Sequence, residues 1–231
     1  MRILKKHLEH LKNIKRIRYH PLIHHIHKKH KISKKTLLYI KEYGPKSHAL
    51  GNILNESIKV LLFSSLLSLA GGLALERTKD LFITIIPMII LFPTLNGMIG
   101  NYGIIVASRF TTLLHTGKVK GKWYKDASLK KLLFQVLIIS TATGIISAIM
   151  ALGISSYQGF MVTLMVIAKV IVISFVDVLL LVSLLFIIAI YGGYYYFKRN
   201  EDPDNFLIPL CTAIADFGNM SILAILVALF F

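Results

Sequence analysis

Acidic residues and cysteines are both scarce in this sequence. Its 231 residues include 11 Asp+Glu against 27 Lys+Arg, and a single cysteine, Cys211. One cysteine excludes an intrachain disulfide. The first 46 residues also lack a continuous apolar run, so we expect no cleavable signal peptide. A net charge of +16 would suit a nucleic-acid binder, but the basic residues lie almost wholly beside apolar runs, and we therefore expect no nucleic-acid partner.

Long apolar runs make up most of the rest of the chain. Hydrophobic residues are 55% of the sequence and the mean hydropathy is +0.66. A bilayer crossing needs roughly 20 apolar residues. Five runs are long enough, at about 58–75, 81–110, 132–152, 160–190 and 206–231. They predict an all-α membrane protein with five transmembrane helices, in which a basic arm (1–50) precedes a membrane domain (51–231).

The basic residues between the runs predict how the helices are oriented. Residues 1–50 carry 14 Lys+Arg, 76–80 carry two, 109–131 carry seven, 155–159 carry none and 198–205 carry two. Cytoplasmic segments of membrane proteins are enriched in Lys and Arg. The first, third and fifth segments together carry 23 of these residues and the second and fourth carry two. We therefore predict a multi-pass protein of the cell membrane with its N-terminus inside and its C-terminus outside.

The arm has a composition of its own, with eight of the nine histidines. Its apolar residues recur mostly every third position among basic ones, which predicts an amphipathic helix that lies against anionic lipid headgroups. The histidines could in principle hold a transition metal. We favour a solvated or membrane-surface face, because no Cys, Asp or Glu neighbours His20, His24, His25, His27 and His30 to complete a site.

Three charged residues lie inside the predicted spans away from their ends, namely Lys169, Asp177 and Asp216. A charge in hydrocarbon is costly, so each is a candidate for function or for a buried pair. For Lys169 we expect a carboxylate partner on another helix, and for Asp177 both interpretations stay open. Asp216 lies near the middle of its run, among the small or polar residues Thr212, Ala213, Ala215, Gly218, Asn219 and Ser221, and we expect it to bind a ligand.

The second run is rich in residues that weaken helices. Pro93 removes a backbone donor, and Gly97, Gly100 and Gly103 follow it, so we expect the second helix to be broken at this Pro/Gly stretch. Unwound segments of this kind build ion sites in transporters. Asn96 and Asn101 would add carboxamide oxygens. An oxygen-rich site with a carboxylate suits Mg²⁺, which keeps most of its waters, better than zinc or copper.

Two segments resemble a known family. The segment PTLNGMIGNYGIIVASRFTTLLHTG (Pro93–Gly117) resembles the second-helix signature of the MgtE magnesium transporters, and more closely that of their animal solute-carrier relatives. DPDNFLIPLCTAIAD (Asp202–Asp216) resembles the start of that family's last helix. The sequence is a single five-helix unit with a basic arm where bacterial members have sensor and CBS domains. The resemblance therefore does not imply magnesium-sensing gating of that kind.

The resemblance implies a transporter, not an enzyme, with its divalent-cation pathway on the two-fold axis of a homodimer. It assigns ion binding to Asp216 and a lining or gating role to the second-helix core. We expect transported Mg²⁺, with Mn²⁺ and Co²⁺ as further candidates, and no catalytic or cofactor-binding residue. The complete set of candidate ion-site residues is Asp216, Asn101, Gly97, Gly100, Asn96, Asp177, Thr212 and Asn219.

Two alternatives belong to other functional classes. A non-transporting membrane subunit would use the intramembrane charges for assembly alone. An intramembrane aspartyl protease would use Asp177 and Asp216 as a dyad, but the sequence has Phe-Val-Asp and Ile-Ala-Asp in place of the Tyr-Asp and Gly-x-Gly-Asp motifs of such proteases. The sequence does not separate a channel from a coupled exchanger, or import from efflux.

Overall fold

The described part of the chain is entirely helical. The computed structural model describes residues 49–116, 119, 126–199 and 202–231, with Leu54 the only described side chain before Ile58. No strand occurs in these ranges. The helices are α1 (Ala49–Glu76), α2 (Lys79–Thr84), α3 (Ile86–His115), α4 (Ala127–Tyr157), α5 (Leu164–Arg199) and α6 (Pro203–Phe230). The predicted all-α class is confirmed.

Five of these helices are long and apolar enough to cross a membrane. The spans are Ile58–Glu76 within α1 and the whole of α3, α4, α5 and α6. The number of spans agrees with the sequence prediction, and each span overlaps one predicted run. The in–out orientation stays a prediction, as does the basic arm with its amphipathic helix, which lies outside the described residues except for the start of α1.

The interruption of the second predicted helix lies earlier than the sequence suggests. Helix α3 is continuous from Ile86 to His115 with Pro93 inside it, so the break expected at Pro93 and the glycines after it is not observed. Instead, Ile85 (φ −109°, ψ 80°) separates α2 from α3, two residues before Pro87. Proline fits the first turn of a helix, where its missing N–H is not needed. Pro93 removes a single interior hydrogen bond, which packed helices tolerate at membrane depth.

Aspartates define where α4 and α6 begin. Asp126 precedes α4 and accepts a hydrogen bond from the Ser128 N–H at 2.9 Å. Asp202 precedes α6 and accepts one from the Asp204 N–H at 3.2 Å, with Pro203 in the first turn. Both are N-caps, which satisfy a backbone donor that the helix itself leaves free. The Asp-Pro-Asp motif is thus the start signal of the last helix.

Small residues let the helices of the core approach closely. Residues Val60–Phe231 form one compact unit, in which α3, α5 and α6 pack on one another and α4 packs on α3 and α5. A methyl group at Gly103 would lie 3.1 Å from Leu185 Cδ1 and 3.3 Å from Cys211 Cβ, and one at Gly144 would lie 3.0 Å from Val178. Such contacts replace the hydrophobic effect as the main attraction between helices in lipid. The largest fully buried side chains are Phe110, Met88, Leu91, Leu95, Ile99, Leu129, Ile173, Leu181 and Leu185.

Helix α1 crosses α6 at a glycine. A methyl group at Gly71 would lie 2.9 Å from the Cα of Phe217 and 3.0 Å from Met220 Sδ. The two helices therefore meet almost backbone to backbone. The other unit of the chain, Met1–Lys59, is described only from residue 49 onward, as the first part of α1.

Candidate ion-binding site

Asp216 lies at the middle of α6 and is partly exposed. It follows Pro203 by thirteen residues and precedes Phe230 by fourteen. At 1.5 Å per residue, it is therefore roughly 20 Å from either end of the helix. A carboxylate at this depth needs hydrogen bonds, water or a cation to remain charged.

Two neighbouring helices hold the Asp216 carboxylate. Asn96 on α3 donates its Nδ2–H to Asp216 Oδ1 at 2.8 Å, and Ser68 on α1 donates its hydroxyl to Oδ2 at 3.5 Å. Asn219, which is buried on α6, donates its Nδ2–H to Asn96 Oδ1 at 3.0 Å. This Asn219–Asn96–Asp216 relay turns the donor end of the Asn96 carboxamide towards the carboxylate. Hydrogen bonds between membrane helices contribute about 1 kcal/mol each, enough to orient the group.

The Asp216 carboxylate lines a groove of about 850 Å³ between α1 and α6, which we call the polar groove. Its polar side chains are Ser64, Ser65, Ser68, Thr212 and Asp216, and its lining includes one carboxylate and no basic residue. Ser64 donates its hydroxyl to the Pro209 carbonyl at 3.2 Å, which joins α1 to α6 a second time. The groove therefore combines hydroxyl oxygens with a single negative charge.

The predicted second-helix residues divide between two sides of α3. Gly100 faces α6, where a methyl group on it would lie 3.9 Å from Thr212 Cγ2. Gly97 is exposed, and a methyl group on it would meet no atom within 4 Å. Asn101 is also exposed and lies about 140° around the helix from Asn96. The structure thus brings Asp216, Asn96, Asn219, Thr212 and Gly100 together, and leaves Gly97 and Asn101 on the outside of α3.

Asp177 lies apart from the polar groove. Its side chain on α5 is 0% exposed, and neither carboxylate oxygen has a hydrogen-bond partner among the described residues. Ser174, on the preceding turn, donates instead to the Val170 carbonyl at 2.7 Å. The geometry of this chain therefore separates Asp177 from the other candidate ion ligands.

Lys169 has an aromatic neighbour where a carboxylate is expected. Its Nζ lies 4.6 Å from the ring centroid of Phe231, directly after the end of α6, and it forms no ion pair within the described ranges. Lys169 is five residues from the start of α5, so its long stem brings the ammonium group to the end of the bundle. A cation over an aromatic face gains about 0.5–1 kcal/mol at such a site. The expected buried ion pair of Lys169 is corrected to this cation–π contact.

The α1 serines are the site residues that sequence reasoning missed. A serine in an apolar helix usually bonds the carbonyl four residues earlier, as Ser65 does with Leu61 at 3.0 Å. Ser64 and Ser68 bond to α6 instead. Their spacing of four residues, on one face of α1, is the signal in the sequence that could have identified them.

Comparison with known proteins places the chain in a family. The family model described as "MgtE: Divalent cation transporter" matches residues 92–226, more than half of the chain. Similar proteins include solute carrier family 41 member 2 of Xenopus laevis, 27% identical over 192 residues that cover 78% of this chain and 34% of that protein. Solute carrier family 41 member 3 of Rattus norvegicus is 28% identical over 178 residues, which cover 74% and 37% of the two chains.

This chain thus spans about a third of the length of the curated relatives it matches. No solved structure matches it. The matched range includes Asn96, Asp177, Asp216 and Asn219, and begins after α1. The family comprises transporters and not enzymes, which sets aside the aspartyl-protease alternative. Five apolar spans together with the family match confirm the resemblance drawn from the two motifs, and the chain belongs to the MgtE family of multi-pass membrane proteins.

Proposed function

We propose that this chain transports divalent cations, with Mg²⁺ as the principal ion, and that it does so as a homodimer whose ion path passes the two Asp216 carboxylates. The observation that carries the proposal is a partly exposed carboxylate at mid-helix, in a groove lined by hydroxyls and by no basic side chain. The family's description as divalent cation transporters supports the same function.

The chemistry of the polar groove suits a hydrated hard cation. Mg²⁺ prefers oxygen ligands, demands near-octahedral geometry and usually keeps several of its waters. A groove of about 850 Å³ has room for such an ion. Ser65 and Thr212 line it with hydroxyl oxygens that can accept hydrogen bonds from the ion's waters. Mn²⁺ and Co²⁺ also take oxygen and water ligands, so we expect them to compete with Mg²⁺.

Asn96 acts in this proposal as a positioning residue. Its Nδ2–H bonds one oxygen of Asp216, while its own Oδ1 is held by Asn219. The carboxylate therefore cannot turn away from the groove without breaking its two interhelical hydrogen bonds, from Asn96 on α3 and Ser68 on α1. Groups that orient an ion ligand typically change metal affinity by 10–100-fold when removed.

The charge of the ion is the reason for a second copy. One polar groove supplies a single formal negative charge, and a divalent cation carries two positive ones. In a two-fold symmetric dimer the same patch of each subunit faces the other, which would supply two Asp216 carboxylates. Gly97 and Asn101 are exposed on α3 and are available to line the remainder of such an interface.

The test is divalent-cation flux into liposomes that contain the purified chain, wild type beside Asp216→Asn, with dimer content measured in parallel. We expect the variant to lose Mg²⁺ flux by about a hundredfold or more while it still dimerises, because even groups that only orient a ligand account for 10–100-fold. Asp177→Asn is the matched control, since it removes an intramembrane carboxylate outside the groove.

Three results would contradict the proposal. Wild-type protein without divalent flux under any gradient would favour the non-transporting subunit. Unchanged flux in Asp216→Asn would remove Asp216 from the ion path. Loss of dimers together with flux would instead assign Asp216 to assembly.

A further inference from the structure

A second groove lies between the C-terminal parts of α1 and α6, and we call it the alanine groove. Its volume is about 460 Å³, and its lining includes Ala70, Ala74, Ala224 and Ala228. Leu73 and Ile225 also line it, with 69% and 59% of their surfaces exposed. Its lining contains one basic residue, Arg77, and no acidic one.

The alanine groove is distinct from the polar groove. Successive residues of an α-helix are about 100° apart, so Ala70 lies about 200° around α1 from Ser68, and Ala74 lies about 200° from Gly72. Ser68 and Gly72 line the polar groove, and Ala70 and Ala74 line the alanine groove. The two grooves therefore lie on opposite sides of α1, and an ion in one does not reach the other.

Arg77 lies at the end of the alanine groove and directly follows the span Ile58–Glu76, at the depth expected for lipid headgroups. Arg77 forms no ion pair with any described residue. The preceding residue, Glu76, accepts a hydrogen bond from Lys79 Nζ at 2.9 Å. That bond raises the pKa of Lys79 above its ordinary value.

We propose that the alanine groove binds a phospholipid, with an acyl chain along the alanines and the phosphate at the Arg77 guanidinium. Nearly all of the groove lies within two membrane spans, so its surroundings are hydrocarbon. Ala70 and Arg77 are seven residues apart, which gives a groove of roughly 10 Å along α1. Guanidinium groups bind phosphate oxygens through two parallel hydrogen bonds.

The charge and lining of the alanine groove argue against two other occupants, a second copy of the chain and a free inorganic anion. A second copy bound symmetrically through this groove would bring two Arg77 side chains together, with no acidic side chain in the lining to separate them. A free inorganic anion would gain nothing from the alanines and leucine. A phospholipid matches both parts of the groove, its apolar length and its cationic end.

The experiment is native mass spectrometry of the detergent-purified full-length chain with phosphatidylglycerol as the probe. Arg77→Gln removes the phosphate contact, and Ala74→Leu fills the groove. We expect about fivefold weaker binding in Arg77→Gln, since a basic residue near a membrane surface contributes about 1 kcal/mol, and a larger loss in Ala74→Leu. The matched controls are Lys130→Gln, which removes an exposed cation from α4, and Ala142→Leu, which adds the same bulk at another exposed position of α4.

Three outcomes would overturn the proposal. Equal phosphatidylglycerol binding by wild type, Arg77→Gln and Ala74→Leu would show that the groove holds no lipid. Displacement of the lipid by inorganic phosphate alone would identify a simple anion site. Loss of dimers in Ala74→Leu with unchanged lipid binding would assign the groove to a second copy. The first two outcomes leave the flux assigned to Asp216 unaffected. The third would also move the dimer interface to the side of α1 opposite Asp216, so the flux and dimer content of Asp216→Asn, measured separately, distinguish failure of the two proposals.

Discussion

Two intramembrane aspartates on adjacent helices of this chain have opposite surroundings. Asp216 is partly exposed in the polar groove and accepts hydrogen bonds from Asn96 and Ser68. Asp177 is 0% exposed, and neither of its oxygens has a partner among the described residues. The same residue type is therefore a positioned, accessible carboxylate on α6 and a fully buried carboxylate without a described partner on α5.

The difference shows which carboxylate is accessible in the conformation described. A buried polar group without a partner costs free energy, whereas Asp216 recovers part of that cost from its hydrogen bonds and from access to the groove. An ion in the polar groove would reach Asp216 without any rearrangement of the helices. At Asp177 it would first have to open the core formed by residues such as Leu181 and Ile173.

The largest effect on Mg²⁺ flux is expected at Asn96, the hydrogen-bond donor that Asp216 has and Asp177 lacks. Asn96→Ala removes the donor at 2.8 Å and should lower Mg²⁺ flux by about 10–100-fold without loss of dimers. Thr94→Ala is the control, because Thr94 is exposed on the same helix and bonds only to the Ile90 carbonyl. Mg²⁺ flux is measured in liposomes. Flux at the wild-type level in Asn96→Ala would show that Asp216 does not need Asn96 to position its carboxylate.

The next prediction concerns Asp177, the fully buried carboxylate. Asp177→Leu replaces an unpaired buried group by an apolar one and should stabilise the fold by about 1–3 kcal/mol. Thermal unfolding in detergent would then shift upward by several degrees, and Mg²⁺ flux would be retained. A lower melting temperature would mean that Asp177 has a partner in the working protein, which would break the contrast between the two aspartates.

A glycine pair tests whether α1 contributes to the site. Gly71→Ala would place a methyl group 2.9 Å from the Phe217 Cα, which should cost about 1–3 kcal/mol and move Ser68 away from Asp216. Gly72→Ala is the matched control, since a methyl group there meets no atom within 4 Å. Melting temperature and flux should fall together in Gly71→Ala alone. Equal behaviour of the two variants would show that the helix crossing has no role in holding the carboxylate.

The smallest effect is expected at Lys169. Lys169→Met removes the cation over the Phe231 ring and should cost about 0.5–1 kcal/mol of stability. The cost should be the same in wild type and in an Asp177→Asn background, because the two residues are not paired. A cost that disappears in the Asp177→Asn background would reveal an ion pair between them, as a double-mutant cycle measures.

The spans were predictable because length and apolar composition alone decide whether a helix can cross a bilayer. The break in the second helix was not. Pro87 and Pro93 are the same residue type in one apolar run, but only the first lies where the chain leaves helical geometry. Proline stops a helix only when nothing else compensates for the lost hydrogen bond, and that compensation comes from neighbouring helices.

The candidate site was predictable in part, for a similar reason. A charged aspartate inside a membrane span costs free energy wherever it lies, so Asp216 and Asp177 were both candidates for the ion site. Which of them faces a groove depends on helix rotation and on the partners across it. Asn96 was identified by its chemistry alone. Ser68 was missed because a serine hydroxyl can donate its hydrogen bond to a carbonyl of its own helix.

The sequence by itself determined the all-α class, the five spans and the family, because hydropathy and local motifs are properties of single segments. Only the tertiary structure decided that Asp216 is accessible and Asp177 sealed, that Lys169 meets Phe231, and that α1 has a polar groove on one side and an alanine groove on the other. These are relations between segments far apart in the chain, and they depend on how closely small residues such as Gly71 and Gly103 allow the helices to pack.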